Sequence, residues 1–189
     1  MALHVTLEGR RVRLEQLVDH HHDELFEISR DPRIWAFQRV RADESMERFD
    51  EWYASVEMGF AHYFDDRLVG HTSYGNDEPH NRAVEVGNTW LVPDAWSSGA
   101  NAEAKYLLMR HAFEDEGYLR VCFKTESTNA RSRAALAALP AEFEGIFRKH
   151  MLVRGGERRD SAWYAVIDDD WPEVKASLER RLGWGEPGA

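Results

Sequence analysis

Hydrophobic and polar positions alternate between two periods along most of this chain. Segments with a period of two predict strands, and segments with apolar residues three and four apart predict helices. The resulting order is strand, two helices, three strands, helix, strand, helix, two strands, helix. The predicted strands are 12–16, 60–64, 67–74, 83–91, 120–125, 142–152 and 161–167. Five helices are predicted. The first begins at Asp19 and the second at Asp43, the third and fourth span 101–116 and 129–139, and the last follows Asp170.

This order predicts the fold class. Helices between strands imply crossover connections, whereas the turn clusters at 65–66 and 154–157 imply hairpins and therefore antiparallel pairs. We expect an α/β (α+β) protein with a mixed, mostly antiparallel sheet and helices on both faces. At 189 residues the chain fits a single domain, which we place at 1–182. Residues 183–189 are expected to form a frayed C-terminal tail.

Composition narrows the class of partner. The hydrophobic fraction of 43% is ample for a core, and the formal net charge of −10 repels phosphate backbones and acidic membranes. We therefore expect neither nucleic acid nor a membrane as a partner, and the negative charge favours cationic partners.

The single cysteine, Cys122, excludes an intrachain disulfide. Without a long apolar run or a signal-like start, the expected location is cytoplasmic.

The segment after Trp90 is a candidate anion site. A strand ends, the small residues Ser97, Ser98, Gly99 and Ala100 follow, and a helix begins near Asn101. The first amides of a helix have no intrahelical acceptor and lie at the positive end of the dipole. Small residues leave those amides accessible, which suits a pyrophosphate. An ordinary helix N-cap is the alternative explanation.

A second strand-to-helix junction follows at Asn129. Ser132 shares helical spacing with Ala135, Leu136 and Leu139, so its hydroxyl is expected on the inward face. The alternative is that Asn129 is a simple N-cap and Ser132 an ordinary first-turn serine.

Several short motifs together carry a resemblance. They are Gly70 with Ser73-Tyr74, Val84-Glu-Val-Gly87, Trp90-Leu91, Trp96-Ser-Ser-Gly-Ala-Asn101 with Glu103 and Lys105, Asn129-Ala-Arg-Ser132, Phe143-Glu-Gly145, Arg159-Asp160 and Trp171-Pro172. With them the chain resembles the GNAT (general N-acetyltransferase) superfamily, in the branch of ribosomal-protein N-terminal acetyltransferases. It departs from the superfamily's usual loop at Trp96 and Asn101, and from the branch's usual glycine at Pro140.

The resemblance implies a cofactor, acetyl-CoA or another acyl-CoA, wedged between two central strands that splay apart. The strand ending at Trp90, Leu91 and Val92 would hydrogen-bond the pantetheine. Amides of the predicted anion site would hold the pyrophosphate, Asn129 would contact the pantetheine arm, and Ser132 would approach the sulfur. The branch also implies a possible homodimer.

Acyl transfer to an amine needs a base, because an ammonium cannot attack a thioester. Glu85 is a carboxylate on an otherwise apolar strand, and a buried carboxylate is a stronger proton acceptor, so Glu85 is the candidate base, acting directly or through water. A solvated, outward-facing Glu85 is the alternative. Ser132 is the candidate for protonating the leaving sulfur, and an amide between 89 and 91 would polarise the carbonyl.

Three aromatic residues are candidates for an amine pocket, although aromatic residues more often belong to a core: Trp35, Phe37 and Tyr74. No metal site is predicted, because His20, His21 and His22 would point in different directions from a helix.

The sequence therefore predicts an N-acyltransferase that moves an acetyl or related group from acyl-CoA to a primary amine, such as a peptide N-terminus or a small cationic molecule. Two alternatives remain open. One is a catalytically silent acyl-CoA-binding module or sensor, and the other is a protein whose sheet edge serves only assembly.

Overall fold

The computed structural model describes residues 2–184. The strands are β1 (Leu7–Glu8), β2 (Val12–Gln16), β3 (Met58–Phe64), β4 (Arg67–Glu78), β5 (Ala83–Leu91), β6 (Arg120–Glu126), β7 (Glu142–Val153) and β8 (Glu157–Ile167). The helices are α1 (His22–Ile28), α2 (Pro32–Trp35), α3 (Met46–Ala54), α4 (Ala100–Arg110), α5 (Ala130–Ala137) and α6 (Trp171–Arg181).

The eight strands form one sheet in the order β1-β2-β3-β4-β5-β6-β8-β7. Only β5 and β6 pair in parallel, and every other neighbouring pair is antiparallel. The predicted fold class, a mixed and mostly antiparallel sheet with helices, is confirmed.

Two apolar clusters lie against the sheet. The larger includes residues of α4 and α6, such as Leu107, Leu108 and Val174, together with Phe60 and Tyr74 from the strands. The smaller includes residues of α1, α2 and α3 together with Trp90 of β5. The sheet is therefore covered on both faces, as predicted.

Several predicted boundaries are wrong, for local reasons. The short helix α2 was not predicted; Asp31 caps it, since its carboxylate accepts from the Arg33 amide and Pro32 occupies the first turn. Ser45, rather than Asp43, caps α3 by accepting from the Arg48 amide. Strand β4 extends to Glu78, four residues beyond its predicted end at 74. Strand β1 was not predicted, because a two-residue strand shows no alternation.

Glu103 of α4 fixes the turn between β1 and β2. This carboxylate is only 2% exposed. Its Oε1 accepts hydrogen bonds from the amides of Arg10 at 2.6 Å, Arg11 at 2.9 Å and Val12 at 3.2 Å. A buried charge is tolerated because these donors satisfy it, so Glu103 joins the first strands to the central helix.

Glu103→Gln should destabilise the protein by about 1.5–3 kcal/mol, because hydrogen bonds to a charged acceptor become bonds to a neutral one. Chemical denaturation measures this, with the exposed Glu27→Gln as the control that should change little. Equal midpoints for the two variants would show that Glu103 does not hold the turn.

Of the predicted tail, 183–189, the structure describes only the first two residues. Trp184 packs edge-on against Tyr106 with ring centroids 4.9 Å apart, and the Arg10 guanidinium lies 5.0 Å from the Trp184 ring. Residues 183–184 are therefore held against the domain, and 185–189 lie outside the described residues. No helix between residues 2 and 184 is long and apolar enough to cross a membrane.

Candidate active site

The parallel pair β5–β6 separates into a wedge. The two strands pair only at Ala83–Arg120, Val84–Val121 and Glu85–Cys122. Beyond that point β5 continues to Leu91 and β6 to Glu126 without pairing to each other. The predicted splay of the central strands is therefore present, and a groove of about 1260 Å³ opens between them.

A bulge in β5 shapes one wall of the wedge. Asn88 and Thr89 lie between the register pairs Ser73–Gly87 and His71–Trp90, where β4 contributes only Thr72. Asn88 has a φ of +50°, and its carbonyl oxygen lies 3.0 Å from His71 Nδ1. Bulges bend a strand and redirect its main-chain groups, which is common beside active sites.

The loop before α4 lies where the sequence predicts an anion site. Ser97 and Gly99 both have left-handed backbone conformations, with φ values of +61° and +97°. The Ser98 amide is occupied by the Ala95 carbonyl and the Ala100 amide by Ser98 Oγ. Within the described chain, the amides of Ser97, Gly99, Asn101 and Ala102 have no acceptor. These four donors, all in groove-lining residues, form the cradle.

The groove is basic although the chain is acidic. Seven cationic side chains and three glutamates line it, in contrast to the net charge of −10 for the whole chain. Lys105, one turn past Asn101, is buried, and this burial lowers the pKa of Lys105 to about 8. Such a lining favours an anionic ligand. The cations are Arg39, Arg48, Lys105, Lys124, Arg131, Arg159 and Arg181.

Glu85 lies in the groove at the vertex of the wedge and is 6% exposed. The solvated alternative is therefore wrong. Its Oε2 accepts from Lys124 Nζ at 2.7 Å and Asn76 Nδ2 at 2.5 Å. Gly87 leaves space for the other oxygen, since a Cβ there would stand 2.8 Å from Glu85 Oε1.

At Asn129 and Ser132 the sequence left open either a simple helix cap or a contribution to the ligand site, and the structure is compatible with both. Asn129 Oδ1 accepts from the Ser132 amide at 3.1 Å and so caps α5. Both residues also line the groove. The Ser132 hydroxyl has no hydrogen-bond partner in the part of the chain that is described, which leaves it available for a ligand.

Among the remaining predicted site residues, some line the groove and others lie behind its surface. The Val92 amide donates to the Val69 carbonyl, and neither Val92 nor Ala100 lines the groove. Trp35 is fully buried and donates to the Ser29 carbonyl, so it does not line an amine pocket. Tyr74 borders the groove, but its hydroxyl donates to the Leu108 carbonyl in the core. Phe37 lies in the lining and is partly exposed.

Two further observations concern the histidines of the first helix and the single cysteine. Glu15, His20 and His21 offer ligand atoms within 4.8 Å of one another, so the argument that adjacent histidines must point apart is wrong. His21 is already held by Glu15 and Val18. Burial raises the pKa of the Cys122 thiol to about 11, which keeps it protonated and poorly nucleophilic.

Three groups were not predicted as site residues: Asn76 and Lys124, which bond Glu85 at the vertex, and Arg159, which lines the same groove. Each lies on a different strand, so only the sheet pairing brings them together. Alternation on the short strand β6 could have suggested that Lys124 shares a face with Cys122 and Glu126.

Comparison with known proteins identifies the family. Residues 11–141 match the model of the GNAT acetyltransferase domain. A GCN5-related N-acetyltransferase from Brucella melitensis is 30% identical, with a TM-score of 0.88 over 95% of this chain and 86% of that one. An acetyltransferase candidate from T. thermophilus is 38% identical, with a TM-score of 0.85 over 94% and 96%. The chain belongs to the GNAT acetyltransferase family.

A more distant structure shares the fold. Mycobacterium smegmatis RimJ, solved in complex with CoA-disulfide, is 18% identical, with a TM-score of 0.80 over 94% of each chain. No match is found among curated proteins.

Proposed function

We propose that the protein is an acetyl-CoA-dependent N-acetyltransferase that acts on a primary amine. The observation that carries this proposal is the cradle of free amides beside the open β5–β6 wedge. Family membership supports the reaction class, and the CoA-disulfide in the RimJ structure supports the choice of carrier.

The residues present fit a CoA molecule. The diphosphate is the anion that suits the cradle, since helix N-terminal amides and the dipole both favour it. Arg131, whose guanidinium lies 3.6 Å from the Trp96 ring centroid, and Arg181 add positive charge to the lining. Trp90 and Leu91 belong to the part of β5 that does not pair with β6, where the pantetheine would lie, although the Leu91 carbonyl already accepts from Trp96 Nε1 at 2.8 Å. Asn129 lines the same groove.

Acetyl-CoA supplies the acetyl group as a thioester, and the chain's own residues handle the protons. In this proposal Glu85 accepts the proton of the incoming ammonium at Oε1, because its other oxygen is occupied by Lys124 and Asn76. Amides in the β5 bulge near Thr89 would donate to the carbonyl oxygen as charge develops on it.

Ser132→Ala should lower kcat by about 10²-fold or more, while the affinity for CoA changes little, because the hydroxyl would protonate the leaving sulfur. Thiol release measures turnover and calorimetry measures binding. An unchanged kcat would remove Ser132 from the mechanism and leave it as a first-turn residue behind the Asn129 cap.

Thiol release also separates this function from the two alternatives. A catalytically silent sensor would bind CoA without releasing thiol in the presence of any amine. A protein that serves only assembly would not be protected against heating by CoA, whereas ligand binding to the native state must raise Tm. We expect both protection and release.

A further inference from the structure

We propose that Arg159 binds a carboxylate of the acceptor, so that the substrate is an amine that also carries a carboxylate. The candidates are free amino acids and peptides whose acidic residues lie near a free N-terminus. This inference rests on the proposed acetyl transfer and specifies its acceptor.

Arg159 is a buried cation in the wall of the groove. It lies on β8, is 6% exposed and contributes to the lining. Ser161 and Trp163 are at alternate positions of β8, so they share a face of the sheet with Arg159. Lys124 belongs to the same face, because its ammonium lies 5.4 Å from the Trp163 ring centroid.

The Arg159 guanidinium has no acceptor among residues 2–184. Its Nε is fully buried without a hydrogen bond, and the terminal nitrogens have no ion pair in the described chain. Leaving a buried charge unpaired is costly, so proteins rarely retain one without a partner. A ligand that enters the groove is the partner that the structure leaves room for.

Neighbouring carboxylates are already occupied. The two whose charges act on Arg159 are Glu126 and Glu85. Glu126 pairs with Arg154 at 2.9 Å, and Glu85 pairs with Lys124 at 2.7 Å. Burial lowers the pKa of Arg159, and the nearby Arg154 and Arg39 lower it further. An additional anion would relieve this repulsion.

The same end of the groove is held in place by Arg154. Its main-chain amide donates to the Arg39 carbonyl and its Nη1 to the Gln38 carbonyl, both at 2.9 Å. Gln38 in turn donates to the Thr89 carbonyl at 3.0 Å. The loop after α2 is therefore tied both to the β7–β8 hairpin, which carries Arg159, and to the β5 bulge.

These positions define the chemistry of the acceptor. Glu85 is placed to receive a proton from the amine, while Arg159 offers a planar fork of donors that matches a carboxylate. The net charge of −10 had favoured a cationic acceptor, but the groove lining reverses that sign locally.

The test compares α-amino acids, and dipeptides beginning with Asp or Glu, with matched compounds whose carboxylates are amidated. Amidation removes the negative charge and keeps the shape and the amine. Thiol release with acetyl-CoA should show kcat/KM at least about tenfold higher for the best carboxylate compound than for its amide. The free amino acids and the dipeptides distinguish the two sources of carboxylate.

Arg159→Gln should abolish that preference by raising KM for the carboxylate compound, with CoA affinity unchanged. Arg159→Lys, which keeps the charge but loses the fork, should retain part of it. Arg158→Gln, at the adjacent exposed position, is the matched control and should behave like the wild type.

The inference is overturned if amidated compounds are equally good acceptors for the wild type, or if the preference survives in Arg159→Gln. In either case acetyl transfer itself stands. If no amine releases thiol and CoA does not bind, the proposed function fails as well, so the two failures are distinguishable.

Discussion

Replacing Glu85 by glutamine should lower kcat by about 10²–10⁴-fold, which is the usual contribution of a general base. The substitution keeps the size of the side chain and a carbonyl oxygen for Lys124 and Asn76. It removes the ability to accept a proton, so the amine would have to lose its proton unassisted. Initial rates of thiol release at saturating acetyl-CoA and amine measure the effect, and calorimetry should show CoA binding close to that of the wild type.

Glu57→Gln is the matched control, because Glu57 also lines the groove but is exposed and far less enclosed than Glu85. Its kcat should remain within about twofold of the wild type. A Glu85→Gln enzyme that is equally active would show that another group, or water alone, deprotonates the amine.

Asn101→Asp should weaken CoA binding by about tenfold or more. The substitution places a carboxylate among the amides of the cradle, where it competes for the same donors and repels a diphosphate. The same carboxylate lies in the first turn of α4, where a negative charge favours the helix by about 0.3–1 kcal/mol. Stability should therefore rise or stay constant while affinity falls, and calorimetry with thermal unfolding measures both.

Asn101→Ser tests whether charge is the cause. This variant also removes the amide group of Asn101, whose Oδ1 is buried without a partner, but adds no charge. It should bind CoA far better than Asn101→Asp. Similar affinities for the two variants would place the diphosphate elsewhere.

Local patterns sufficed for most of the fold and for locating the loop that carries the proposed cradle. The strand 83–91 and the helix start near Asn101 follow from alternation and from the small residues between them. The cradle could be predicted because its donors are consecutive main-chain amides. The sequence could not show which of these amides lack an acceptor. The amides of Ser98 and Ala100 are satisfied by hydrogen bonds within the turn itself.

Glu85 was predicted, but its partners at the proposed acceptor end could not be, because they are brought to it by long-range pairing. Asn76, Glu85 and Lys124 meet only when β4, β5 and β6 lie side by side. Trp35 was predicted to line an amine pocket, but it is buried in the smaller apolar cluster, because an aromatic side chain suits a core as well as a pocket. Homodimer formation, the acyl chain and the acceptor remain predictions.

The crystal structure of the protein grown with CoA tests the central claim most directly. We expect the diphosphate within hydrogen-bonding distance of the amides of Gly99, Asn101 and Ala102, and the sulfur in the wedge between β5 and β6, near Ser132. CoA bound at another surface, or an open wedge without CoA at a saturating concentration, would contradict the account.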